Sequence, residues 1–257
     1  MKAECTYLVF KQWSLSFRKM AVTNEDLKFW DLVFNGNIRR VSDMLQHTHR
    51  LNIDTIAGTC SDSPLMVAVV DGDVEMMKLL IDNGADCNLR CIDAVCLGET
   101  PLFLATKSFH SCALEMMNIL IDHGASVTMM SAKGRTVMHF LFSAHGQCPS
   151  DADNRLRLLL DNIPNKDIVR LISQKDGNGD TASGLNRKIE ATSVADILDL
   201  EVQRRRDYLN QWRSERRELT DIIRSATDST IRSLEPDLLE NIVNQDMYHN
   251  EVDTFMP

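Results

Sequence analysis

Ser63-Pro64-Leu65 opens a motif that returns as Thr100-Pro101-Leu102, and its close, Gly84-Ala85-Asp86, returns as Gly124-Ala125-Ser126. Between these ends, Ala68 matches Ala105 and Glu75-Met76-Met77 matches Glu115-Met116-Met117. An internal repeat constrains the fold more tightly than local propensity, because every copy must build the same small unit. Each copy predicts two short antiparallel helices. The Ser63 or Thr100 hydroxyl caps the first, and the proline after it suits a turn that lacks a helical partner for its N–H. Gly84 and Gly124 follow the second apolar run, where the chain needs a left-handed residue to stop the helix. Such a unit is too small to bury its own apolar stripe, so neighbours stack and share one core.

These letters resemble the ankyrin repeat, whose unit opens Thr-Pro-Leu-His and closes on Gly-Ala-Asp-x-Asn. The resemblance implies an all-α fold, a solenoid of stacked helix pairs with β-hairpin fingers, which binds other proteins. Two units are clear, at residues 58–90 and 97–130. Weaker ones fall at 24–50, where the rhythm helix, Gly36-Asn37, helix lacks the opening motif, and at 131–162, opening Gly134-Arg-Thr-Val-Met-His139. A last one spans 176–200, opening Asp176-Gly-Asn-Gly-Asp-Thr-Ala182. The repeat domain is set at residues 23–190, with a degenerate first unit as a polar cap. Pro64 and Pro101 stand 37 residues apart, against a family period of about 33. That excess lengthens the finger between Gly84 and Pro101, and a second excess, of three residues, lengthens the turn between Ala105 and Glu115. Insertions of this kind map to loops on one face, often the binding face.

Composition narrows the partners. A net charge of −9 excludes the basic face that nucleic acid requires. Seven scattered cysteines, an odd number, and no secretory leader predict free thiols in a reducing, cytoplasmic or nuclear interior. The apolar runs are too short to insert in a membrane. Residues 1–22 form an extension whose apolar patch, Tyr7-Leu-Val-Phe10, is too short for a signal core.

From Ser193 the pattern changes. Leu198, Val202, Leu209, Trp212, Leu219 and Ile223 follow an alternating 4–3 spacing, with Arg205 and Arg216 in the intervening seam positions. This predicts a long amphipathic helix over 191–225 that covers the open end of the solenoid. A partner-binding or dimerising helix is the alternative, and the arginines on its seam weaken it; so the chain is a monomer or associates through this helix. Residues 226–257 form an acidic tail with a short helix. Within it Pro236-Asp-Leu-Leu-Glu-Asn-Ile-Val243 distantly resembles the first helix of an F-box, over too few residues to build that module.

No motif carries chemistry, and the chain is not expected to be an enzyme or to hold a cofactor. Asp176-Gly-Asn-Gly-Asp180 mimics a calcium loop, but Thr181 and Arg187 stand where glycine and glutamate are required. Cys87, Cys91 and Cys96 lack a C-x2-C pair, so no metal is assigned. His139 fills the histidine place of the repeat opening, a structural hydrogen-bonding role in the family, and has no nucleophile at motif spacing. No phosphate-binding glycine loop is present. The Met-Met pairs are read as core filler.

The expected function is therefore that of an adaptor or inhibitor that binds another protein through the concave face and fingers. By resemblance, the exposed variable positions are Asp62, Val70 and Asp71, then Glu99, Lys107 and Ser108, then Arg135, Ser143 and Ala144. Phe109 and His110, in the inserted turn, are the expected anchors. The alternative is a substrate-receptor subunit of a ubiquitin ligase that docks the scaffold through residues 234–248. Asn88, with Leu80 eight residues before it and Asp86 two before it, also resembles the target of asparaginyl hydroxylases, though hydrogen bonding within the finger would equally explain it.

Overall fold

In a computed structural model, residues 22–48, 51–57, 62–93, 96–141, 150–189 and 191–225 are described. Thr23 starts helix α1 (Asn24–Phe34): its hydroxyl accepts from the Asp26 N–H, and the Asp26 carboxylate accepts from the Thr23 N–H. Asn37 caps α2 (Ile38–His47). Ser63 caps α3 (Pro64–Asp71), with Pro64 in the first turn, and Gly72 ends it at φ 72°. The Asp73 carboxylate caps α4 (Val74–Asp82). In the next copy α5 (Pro101–Thr106) is shorter and, against expectation, the Thr100 side chain makes no cap bond to it; α6 (Ala113–Asp122) follows the inserted turn. In the fourth unit the described first-helix residues form a 3-10 turn (Val137–Phe140), ahead of α7 (Ala152–Asn162). An additional helix, α8 (Asn165–Ser173), precedes α9 (Ala182–Lys188) and α10 (Thr192–Ser225).

The helices form two rows. The first helices stack α1 on α3, α3 on α5, α5 on the 3-10 turn and that turn on α9. Behind them α2 meets α4, α6 meets α7, and α7 meets α10. One core runs through all five units, from Phe29 and Val41 through Leu65, Leu102 and Leu156 to Leu198. Met76, Met77, Met116 and Met117 are all fully buried in it, as core filler should be.

Three features depart from the sequence reading. The fingers contain no strand among the described residues; three of them reduce to a single antiparallel bridge, Ala57 with Asp62, Met130 with Thr136 and Lys175 with Thr181. In the lengthened finger the Cys91 N–H donates to the Glu99 carbonyl at 2.7 Å, and the Gly98 N–H to the Cys91 carbonyl at 2.8 Å. The expectation of free thiols fails at this finger, because Cys91 and Cys96 are joined as a disulfide. Cys87 and Cys112 are free.

The third feature is α10. Its first turns pack on α9, α8 and α7 as the second helix of the fifth unit, burying Val194, Ala195 and Leu198. Arg187 on α9 ties this pairing with Asp196 at 2.8 Å and Asp199 at 2.6 Å. Capping is complete at Leu198, but Leu209 and Trp212 are only half-buried, and Leu200 and Tyr208 are exposed. The helix therefore covers the end of the solenoid with its N-terminal third and runs on beyond it. The F-box-like segment, residues 1–21 and Ser143 and Ala144 lie outside the described residues.

Candidate protein-interaction surface

The sequence-predicted positions separate into two groups, one at the fingers and one at the turns between paired helices. At the fingers, the charged side chains are already engaged with each other. Lys107 lies along α5 and reaches the Glu99 carboxylate at 2.8 Å, with its ammonium 5.4 Å from the Phe140 ring. Arg135 meets Asp176 of the next unit at 3.0 Å and stands 5.8 Å from the same ring. Burial opposes the Asp176 charge, but the N–H groups of Asp180 and Asn178 and the Arg135 guanidinium hold its carboxyl below the usual range. The supposed calcium loop is thus a turn closed on its own aspartate. Asp62 is half-buried; burial, and then the charges of Asp93 and Glu99 against that of Lys107, push its carboxyl up to about 6.

His139 holds the same seam together. Its Nδ1 accepts from the Thr136 N–H at 3.1 Å, which leaves the proton on Nε2 to donate to the Asp180 carbonyl at 3.3 Å. Burial drives its pKa below 6.5, so the ring is neutral. An unfolded chain takes up a proton in acid that the folded chain refuses, so this stability is present above 6.5 and is lost as pH falls. The urea midpoint should drop between about pH 7 and pH 5, and less steeply in His139→Gln than in the parent.

At the turns, the geometry is different. The inserted turn after α5 is clamped from both sides. His110 Nε2 lies 2.9 Å from the Val70 carbonyl, and the Cys112 thiol donates to the Gly72 carbonyl at 3.4 Å. The His110 ring fills the space over Gly72, where an added Cβ would stand 2.7 Å from it. From the other side, Arg155 on α7 donates to the carbonyls of Ala105, Thr106 and Ser108 and pairs with Asp151 at 2.6 Å. The last carbonyls of α5 carry the negative end of the helix dipole, which favours a cation there. What this frame leaves outside is apolar: Phe109 is 53% exposed and Val70 is 52% exposed. Asp71, also exposed, stands next to Val70.

Sequence reasoning did not foresee Arg155. The signal was present: Ala152, Arg155, Leu156 and Leu159 share the buried face of α7, so an arginine occupies an apolar-periodic place. Asn88, by contrast, acts across units. Its Nδ2 donates to the Gly124 carbonyl at 2.9 Å and its Oδ1 accepts from the Ser126 N–H at 2.7 Å. One unit earlier, the Asp54 carboxylate accepts from the Asp86 N–H in the same way. The depression lined by Ile38, Arg39, Ser42, Asp43 and Leu79 is shallow and open, unlike a ligand pocket. Among the described residues no helix is long and apolar enough to cross a membrane.

The sequence model of the family described as ankyrin repeats, in three copies, matches residues 29–131. These residues are ankyrin repeats. The curated relatives agree. ANK repeat-containing protein nipk-1 of Caenorhabditis elegans is 24% identical over 170 residues, covering 65% of this chain and 26% of that protein. Human ankyrin repeat and SOCS box protein 6 is 30% identical over 157 residues, covering 61% of this chain and 35% of its own. Human ankyrin repeat and SOCS box protein 12 is 34% identical over 76 residues, covering 28% of this chain and 24% of that protein. The chain thus spans about a quarter to a third of the length of these relatives. Ankyrin repeats are protein-binding modules.

Proposed function

We propose that this ankyrin-repeat chain is an adaptor or inhibitor that recognises its partner at the edge formed by Val70, Asp71 and the turn Lys107–His110. The observation that carries this is the pairing of exposed Phe109 and Val70 with a rigid frame. Binding energy concentrates in a few apolar or aromatic side chains that need little ordering on association. His110 and Arg155 hold the turn already ordered, so Phe109 enters an interface with little further loss of freedom. Glu99, Lys107 and Arg135 are paired internally, and a partner that engages them must compete with those pairs. Their part is in specificity more than affinity.

The test is affinity capture with the full chain and with a Val70→Ala/Phe109→Ala variant, reading captured proteins by mass spectrometry. The reading requires a saturable partner whose recovery falls at least about tenfold in the variant, the scale of one hot-spot residue. Equal recovery overturns it.

A second reading is a ubiquitin-ligase substrate receptor docking through residues 234–248. It draws on relatives named for a SOCS box beside their repeats and on the Pro236–Val243 segment. On that reading, deletion of residues 226–257 removes one captured complex and leaves the Phe109-dependent partner bound. Hydroxylation of Asn88 is a separate proposal. It requires the finger to release Gly124 and Ser126, and incubation with an asparaginyl hydroxylase should add about 16 Da, one oxygen, to the peptide holding Asn88. An unchanged mass leaves Asn88 with its stapling role alone.

A further inference from the structure

One group of metal-ligating side chains stands apart from the partner-binding edge. Asp62, at the opening of the second unit, comes together with Cys91 and Cys96 of the lengthened finger, and their ligand atoms all lie within 4.8 Å of one another. We infer that the reduced finger is a zinc site, with Cys91, Cys96 and Asp62 as three ligands and a water as the fourth.

The spacing between the cysteines, four intervening residues, lies within the range that structural zinc sites use. Asp62 is the part that sequence spacing hides, since it comes from the unit before. Its backbone carbonyl accepts from the Trp30 indole at 2.9 Å, which fixes where the side chain starts. The finger is held by backbone bonds that do not depend on the disulfide. Cys91 and Glu99 are joined, Gly98 is bonded to Cys91, and the Ala132 N–H of the next unit donates to the Leu97 carbonyl at 3.0 Å. Both sulfurs therefore stay near Asp62 when the bond between them opens. Cys91 is buried, whereas Cys96 and Asp62 are half-buried, so an ion can enter from solvent and keep one water.

The conversion balances. A dithiol reductant supplies two electrons and two protons to the Cys91–Cys96 bond and becomes a disulfide itself. Zinc then displaces both thiol protons, and two thiolates and one carboxylate face the dication. Zinc–sulfur bonds of about 2.3 Å at a tetrahedral angle place the sulfurs about 3.8 Å apart, within reach of side-chain rotation. The complex carries one net negative charge, and the Lys107–Glu99 ion pair lies beside it. In the oxidised state the same residues form a covalent loop instead, so the chain would hold its finger closed by either of two chemistries. This inference does not depend on the partner-binding reading.

The test uses the reduced full chain titrated anaerobically with Co2+, which reports thiolate ligation by charge-transfer absorption in the near ultraviolet. One Co2+ should bind per chain and be displaced by Zn2+. The band should persist when Cys5, Cys60, Cys112 and Cys148 are replaced by serine, and vanish in Cys96→Ser. Cys96 is half-buried, and circular dichroism of that variant keeps a folding failure distinguishable from a lost ligand. Asp62→Asn should weaken binding at least about tenfold, the minimum expected when a ligand is lost. Absence of the band, its survival in Cys96→Ser, or an unchanged affinity in Asp62→Asn would each overturn the assignment.

Discussion

Arg155→Met should destabilise the chain by about 3–5 kcal/mol, the penalty typical of breaking a buried charged contact by removing one partner. Arg155 is 1% exposed, and it donates to the Ala105, Thr106 and Ser108 carbonyls at the end of α5 and in the inserted turn. Methionine matches the arginine stem in bulk and keeps the buried face of α7 apolar, but supplies no donor. The Thr106 and Ser108 carbonyls would then lose the guanidinium that donates to them, and the Asp151 carboxylate would lose its cation. Urea unfolding measures the loss. A change below about 1 kcal/mol would mean that water replaces the guanidinium, and the turn would not be clamped as described.

Phe103→Ala should be similarly severe, at about 3–5 kcal/mol. Phe103 is fully buried at the centre of the first-helix row and packs edge to face on Phe140 at 5.1 Å. Its unit is the middle of five, so the cavity lies between neighbours that depend on it for burial. Solenoid stability is a sum of unit and interface contributions. The variant should therefore also unfold less cooperatively, with the flanking units separating into two transitions. Phe103→Leu, which keeps most of the volume, should lose less than half as much.

Much of this was legible in the residues. The Ser63-Pro64 and Thr100-Pro101 openings and the Gly84 and Gly124 stops are local devices with fixed conformational meaning; α3 and α5 start, and α4 and α6 end, where they predict, although only Ser63 caps with its side chain. His139 was readable for the same reason. The features that escaped all depend on contacts between units. Arg155 reads as an exposed polar residue until the inserted turn is placed against α7. Asp62 reads as a surface position until the finger brings Cys91 and Cys96 to it. The fourth unit was recognised from Gly134-Arg-Thr, but the described part of its first helix is a 3-10 turn, a conformation that no local signal records. The amphipathic stripe of α10 was visible in sequence. How far along it the solenoid reaches was not, because the stripe continues past Leu198 while the units that could cover it end.

Of the candidate site, the sequence supplied residue identities and the structure supplied their ranking. Glu99, Lys107 and Arg135 are exposed by family analogy but are paired in place, whereas Phe109 and Val70 are apolar and outward. That difference rests on ion pairs with spans of eight and 41 residues, which no single-unit pattern contains.

The most direct test of the account is hydrogen–deuterium exchange on the full chain with and without its captured partner. Exchange should slow in peptides spanning residues 68–73 and 105–113, with residues 226–257 unaffected by that partner. Slowed exchange confined to residues 226–257, with both turns unchanged, would contradict it.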